Sequence, residues 1–154
     1  MKNDFLILPL DGNLFAEEHQ ATLMAAGARW VEVDSRPAFP CRVTLEEAKV
    51  GERVLLLTFC HHETESPYKA TGPIFVREQA KTVTLSVNEV PPVLRHRLLS
   101  LRGYAANGEM LDADVTEGAD VQSVIDCLFD NAAIEYIHIH NAKQGCFSCK
   151  VVRA

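Results

Sequence analysis

Residues 136–140 alternate in polarity: Tyr136, His138 and His140 are separated by Ile137 and Ile139, and a second short run rich in apolar residues follows from Cys146 to Arg153. A period of two belongs to a strand with one covered face, not to a helix, whose period is 3.6. Residues 141–145 between the runs predict a turn, and so an antiparallel C-terminal hairpin. Pairing His140 with Cys146, Ile139 with Phe147, His138 with Ser148 and Ile137 with Cys149 places Ile137, Ile139, Phe147, Cys149 and Val151 together in the core, the consistency that sets register in a half-buried hairpin. The opposite face then carries Tyr136, His138, His140, Cys146, Ser148 and Lys150. Cys146 and Cys149 fall on opposite faces, so their C-x-x-C spacing supplies neither a chelating pair nor the turn-and-helix setting of a thioredoxin-like motif.

The remainder of the chain predicts a mixture of elements. Phe5–Leu8 reads as a strand, Asp11-Gly12 as a turn, Leu14–Ala26 as a helix stopped by Gly27, and Arg29–Val33 as a strand. Thr44-Leu-Glu-Glu47 has capping-box spacing and predicts a brief helix ending near Gly51. Val54–Cys60 is almost continuously apolar and short, which suits a strand at the centre of a sheet, covered on both faces. Gly72–Val76 predicts a strand with its proline at the entry. Arg97–Tyr104 and Met110–Val115 predict two more, turned by Asn107-Gly108. Val121, Val124, Ile125 and Leu128 lie on one face of a helix capped by Asp120. This order gives an α+β fold, a single domain over residues 1–154 with a largely antiparallel sheet, two main helices and the C-terminal hairpin.

With 154 residues there is enough chain for one core and too little for two. The net charge of −6 argues against nucleic acid and anionic membrane as partners, because binders of polyanions present a basic face. The apolar run Phe5–Leu10 is broken by Pro9 and is too short for an export signal or a span, which points to a soluble, cytoplasmic protein. Five cysteines with no such signal read as free thiols, mostly buried, with Cys127 the clearest example.

Chemistry concentrates on the hairpin. A histidine beside Cys146 would favour its thiolate, the least that a cysteine nucleophile needs. Cys60-His61-His62-Glu63 is the other cluster, but adjacent residues on extended chain point apart, and the polar run that follows suggests a loop. Arg42 before the helix expected at Thr44 suggests an anion site. Arg97 and Arg102, at odd spacing on one strand, face opposite ways.

Phe39-Pro-Cys-Arg42, Gly51-Glu-Arg-Val-Leu-Leu-Leu57, Ser66-Pro-Tyr68, Gly72–Val76, Leu101-Arg-Gly-Tyr104 and Tyr136-Ile-His138 through Asn141 to Gly145-Cys146 together make the chain resemble domain of unknown function family 1203, small bacterial proteins. The resemblance runs from about Pro37 to the C-terminus. It implies no activity, but it directs attention to Cys41, Arg42, Tyr68, His138, Asn141 and Cys146, and it implies that relatives more often carry arginine at the position of His140 and that Cys149 is peculiar to this chain.

The expectation is therefore a domain that binds a small anionic ligand at a sheet edge, with Cys41, Arg42, Tyr68, Arg102, His138, Asn141 and Cys146 as candidate ligand-binding residues. The alternative is an enzyme with Cys146 as nucleophile and His138 or His140 as base. A third reading is a transition-metal or protein-interaction domain, in which His140, Cys146 and His61 or His62 would be the ligands; the expected register gives it the least support. The sequence names no cofactor and no oligomeric state.

Overall fold

Among the described residues, eight strands and three helices follow in the order β1 (Phe5–Leu8), α1 (Glu17–Ala25), β2 (Arg29–Glu32), β3 (Arg53–His62), β4 (Ala70–Arg77), α2 (Pro92–Arg95), β5 (Leu98–Tyr104), β6 (Met110–Glu117), α3 (Val121–Phe129), β7 (Tyr136–Asn141) and β8 (Phe147–Arg153). The computed structural model describes residues 2–154. The strands form two antiparallel sheets, of five in the order β1-β8-β7-β5-β6 and of three in the order β2-β3-β4. The fold is α+β, as the sequence predicts, with the hairpin β7–β8 inside the larger sheet.

The main core lies on one face of the five-stranded sheet. Ile7, Leu99, Leu101, Ile137, Ile139, Cys149 and Val151 supply that face, and Val121, Ile125, Leu128 and Phe129 of α3 cover it. Each such side chain taken from water contributes about 1.5–3 kcal/mol, enough to fix which face of the hairpin turns inward. Gly103 belongs to this packing: a Cβ there would lie 2.7 Å from Ile134 Cδ1, so β5 can approach the chain entering β7 only without a side chain at that point. The second core gathers Phe15, Val43, Leu55, Leu57, Ile74 and Val76, while Val54 turns to the other face with Val33 and Ala48. The apolar run of β3 is thus central and covered on both faces, as expected, until Thr58 reaches solvent.

Several expectations are corrected. The helix expected over 14–26 is two pieces, a 3₁₀ turn at Gly12–Phe15 and then α1 from Glu17, because Ala16 is extended between them. No helix forms at Thr44–Gly51. Residues 42–44 turn, Leu45 takes a left-handed φ of 54° to bury its side chain, and Pro40 bridges Glu47. Two forces oppose the helix: the Cys41 sulfur accepts the N–H groups of Val43 and Thr44, and the Glu47 carboxylate is drawn inward onto Arg97. Pro73 lies inside β4 rather than at its entry, tolerated because β4 is an edge strand. Asp120 sits at the N-cap of α3 but its side chain makes no capping bond, since a 3₁₀ turn at Gly118–Asp120 already leads into the helix. Cys127 is exposed, on the outer side of α3; Cys41 and Cys149 are the two buried cysteines.

The hairpin register also differs. Ile137 faces Val151, His138 faces Lys150, Ile139 faces Cys149 and His140 faces Phe147, with a bulge between Ile139 and His140 that leaves Ser148 as the extra residue. Cys149 and Val151 keep the core side, but the bulge turns Phe147 over to the histidine side. The loop is tighter as well: Asn141 N–H donates to Cys146 O, and Gly145, at φ 80°, donates to Asn141 O. Cys146 therefore sits opposite Asn141, not His140.

Candidate functional site

Pleating puts alternate residues of β8, β7 and β5 on the face away from α3, and their registers align Lys150 with His138 and His138 with Arg102. One row across three strands thus reads cation, imidazole, cation. Tyr136 and Tyr104 stand beside it on one side, with rings 5.4 Å apart, and His140 and Ser100 on the other.

The end of β3 closes over this row. A bulge between Cys60 and His62 makes His61 the extra residue, so the two adjacent histidines both reach the five-stranded sheet instead of pointing apart. His61 stacks on Phe147 with ring centres 5.1 Å apart and planes 11° from parallel, and meets His140 edge-on at 5.1 Å. His62 lies 4.2 Å from Tyr104 and 4.9 Å from His138. Four of the six histidines converge, with Phe147 among them, and the two bulges cause it.

Hydrogen bonds set two tautomers. His62 Nδ1–H donates to Tyr68 O at 2.8 Å, leaving Nε2 to accept from the Tyr136 hydroxyl at 2.6 Å. His140 Nδ1–H donates to Gly145 O at 2.9 Å, and its Nε2 accepts from Arg102 at 3.5 Å. His138 Nδ1 and His61 Nδ1 are buried with no partner. Burial first, then the neighbouring imidazoles and Lys150, push His138 down to about 2. Burial pushes His140 down to about 4 against the opposing bond to Gly145, with Arg102, His61 and Arg42 adding to the fall. Burial, with His62 and Arg102, lowers His61 too, against a bond to the Phe59 backbone. At neutral pH these three rings are uncharged.

Positive charge on this face comes instead from Arg42, Arg102 and Lys150. Arg42 is 1% exposed; its guanidinium donates to Phe147 O at 2.7 Å and Pro40 O at 2.5 Å and lies beside Cys146. Burial lowers its pKa, opposed mainly by Cys146. Among the described residues the ion pairs belong to Arg53, Lys69, Arg77 and Arg97, so none of the three cations has a carboxylate partner. Buried or half-buried charge is normally paired, which makes this corner unusual.

A cleft of about 290 Å³ opens on the row, lined by His61, His62, His138, Lys150, Tyr136 and Phe147 and by Leu8–Leu10, with Leu8 directly opposite Lys150 in register. Glu63 at its rim is tied to Lys69 at 3.1 Å. A larger cleft, of about 610 Å³, lies elsewhere around Asn13, Arg53, Arg77 and Lys81, but there Arg53 and Arg77 are committed to Glu78 and Glu52.

Of the residues expected from sequence, His138 lines the cleft, and Arg102 and Tyr68 stand behind it, against His140 and Tyr104 respectively. Asn141, Cys146 and Arg42 form an adjoining corner, where Asn141 Nδ2 donates to Cys146 Sγ at 3.3 Å and Asn141 Oδ1 has no partner. Cys41 is apart from the cleft; its sulfur accepts N–H groups of Val43, Thr44 and Arg77 within the second core. Arg97 lies just before β5 rather than on it, held by Glu47 and Val93 O. His61 and His62 are visible in the sequence as a pair, but alternation sends them to opposite sides and the polar run after them suggests a loop; the bulge in β3 overturns both. No three His, Cys, Asp or Glu side chains among the described residues are arranged to hold a metal ion. Two unpaired cations flanking His138 also oppose a cation there. No described helix is long and apolar enough to cross a membrane.

The model of one family, described as protein of unknown function (DUF1203), matches residues 38–153, and the chain belongs to that family. Neither a curated protein nor a solved structure matches the chain. The matched span includes the cleft's histidines, Phe147, Lys150 and all three unpaired cations, and leaves out Leu8–Leu10.

Proposed function

We propose that this member of the DUF1203 family binds a small anionic molecule in the histidine-lined cleft. The observation that carries the reading is three cations, Arg42, Arg102 and Lys150, without carboxylate partners on one face of a chain whose net charge is −6. Lys150 meets the anion at the cleft wall, which His61 and His138 line as neutral rings. Arg102 and Arg42 add positive potential from behind, where low dielectric makes each charge act further than it would in water. Thermal unfolding in acetate, benzoate, phosphate and sulfate at constant ionic strength tests this. At least one anion raises the midpoint above that in chloride, and Arg102→Gln removes most of the rise; equal midpoints in every salt would contradict the reading.

A second reading has one specific observation in its favour. Asn141 donates to Cys146 Sγ, and the Arg42 guanidinium lies alongside, so charge on that sulfur would be stabilised. The histidine base it requires has less support: His140 spends its nitrogens on Gly145 and Arg102. Exposed Cys127 gives an internal reference for an alkylation experiment at pH 7. A nucleophilic Cys146 reacts faster than Cys127 despite being less exposed; slower reaction removes the enzyme reading.

A further inference from the structure

Beside the cleft, two buried polar side chains end at one sulfur. Asn141 is 3% exposed; its Nδ2 donates to Cys146 Sγ at 3.3 Å, and its Oδ1 is buried without a partner. The tight turn fixes this approach, because Asn141 N–H donates to Cys146 O and Gly145 N–H donates to Asn141 O. Arg42 comes from the segment that bridges Phe75 of β4. Its Nε and Nη1 donate to the carbonyls of Phe147 and Pro40, which leave its charge without an anion, and Cys146 acts on it more strongly than its other acidic neighbour, Cys41. A neutral thiol serves both groups poorly: the guanidinium lacks a counter-charge, and the amide spends its one hydrogen bond on a weak acceptor. Negative charge or an oxygen on Sγ answers both deficits at once. The sulfur's own residue is reachable, since Cys146 is half-buried and follows the exposed residues 143–145.

We infer that Cys146 is a site of reversible oxidation by hydroperoxides, with Arg42 and Asn141 holding the attacking sulfur and the sulfenic acid it becomes. This rests on the reading of Cys146 as a nucleophile and names its electrophile. The thiol gives its proton to solvent, and a sulfur electron pair attacks one peroxide oxygen, so that an S–O bond forms as the O–O bond breaks. Sulfur is oxidised by two electrons and the peroxide reduced by two; the second oxygen leaves as hydroxide or alkoxide and takes a proton back from solvent. No step needs a protein base, which suits a corner where His140 spends its nitrogens on Gly145 and Arg102. Acyl transfer would need one. Cys149 is buried in the core, its thiol pushed up to about 12 by burial, and Cys41 is buried in the second core, so neither closes a disulfide with Cys146. Reduction falls to a small external thiol, two molecules of which restore Cys146 and leave as their disulfide and water.

Treatment of the full chain with hydrogen peroxide at pH 7 in the presence of dimedone, a trap for sulfenic acids, tests the inference by mass spectrometry of the peptides. Half-buried Cys60 and exposed Cys127 are internal references. Cys146 takes the trap at least about tenfold faster than either, and Asn141→Ala slows it by about tenfold. The comparison among three cysteines of the parent chain is decisive even if that variant fails to fold. Iodoacetamide in a parallel reaction separates the two readings. Cys146 faster than the references toward iodoacetamide but not toward peroxide would overturn the oxidation site and leave the nucleophile standing. Cys146 no faster toward either reagent would overturn both.

Discussion

His138 and His140 owe their low basicity to where the sheet puts them, and the cost falls on the folded state in acid. Above about pH 6.5 both the folded and the unfolded chain carry these rings neutral, and stability is at its full value. Below that, the unfolded chain binds protons that the folded chain refuses until His140 titrates near 4 and His138 near 2. Stability therefore falls with pH, at a limiting slope of about 1.4 kcal/mol per unit for each histidine, or about 3 kcal/mol for the two between pH 6.5 and pH 5. Urea unfolding at several pH values measures this slope, and His138→Gln reduces it by about half. A flat profile from pH 7 to pH 5 would mean that the rings are hydrated in solution and that the cleft is wetter than the fold implies.

The two bulges decide the site, and neither is written in the sequence. Alternation read the faces of β7 correctly because that strand is regular where the face matters: Ile137 and Ile139 point inward, and His138 outward. It misplaced Phe147, and it dismissed His61 and His62, because one inserted residue reverses every face beyond it and no local residue type marks the insertion. Capping-box spacing failed at Thr44 for another reason, since Cys41 Sγ just upstream and the distant Arg97 took the groups a helix would have used. The edge strand β6 carries an element-level device of its own. Asp112 and Asp114 accept the N–H groups of Ala113 and Val115, each at 2.8 Å, beside exposed Leu111 and Val115. Charged, self-capped edges resist pairing with other chains. The double variant Asp112→Ala, Asp114→Ala should shift to larger mass in concentration-dependent light scattering; a mass equal to that of the parent would show that the edge is protected by something else.

Across the molecule, the larger sheet is buried by α3 on one side and met by the end of β3 on the other, and the cleft exists only because the two sheets meet there. Fold class was legible because periodicity and turns are local properties. The convergence of His61 and His62 with His138 and His140 was not, because it depends on which sheet β3 joins and on how its end is aimed. The central claim is that this meeting point holds an anion, and the histidine side chains themselves can report it. Nitrogen–proton NMR of the imidazole rings, followed through titrations with acetate, benzoate, phosphate and sulfate at pH 7, separates the four clustered rings from exposed His19 and His96. The account predicts neutral rings at His61, His138 and His140, with His61 and His138 shifting on titration while His19 and His96 stay still. Shifts confined to His19 and His96, or no shift at His61 and His138, would contradict it.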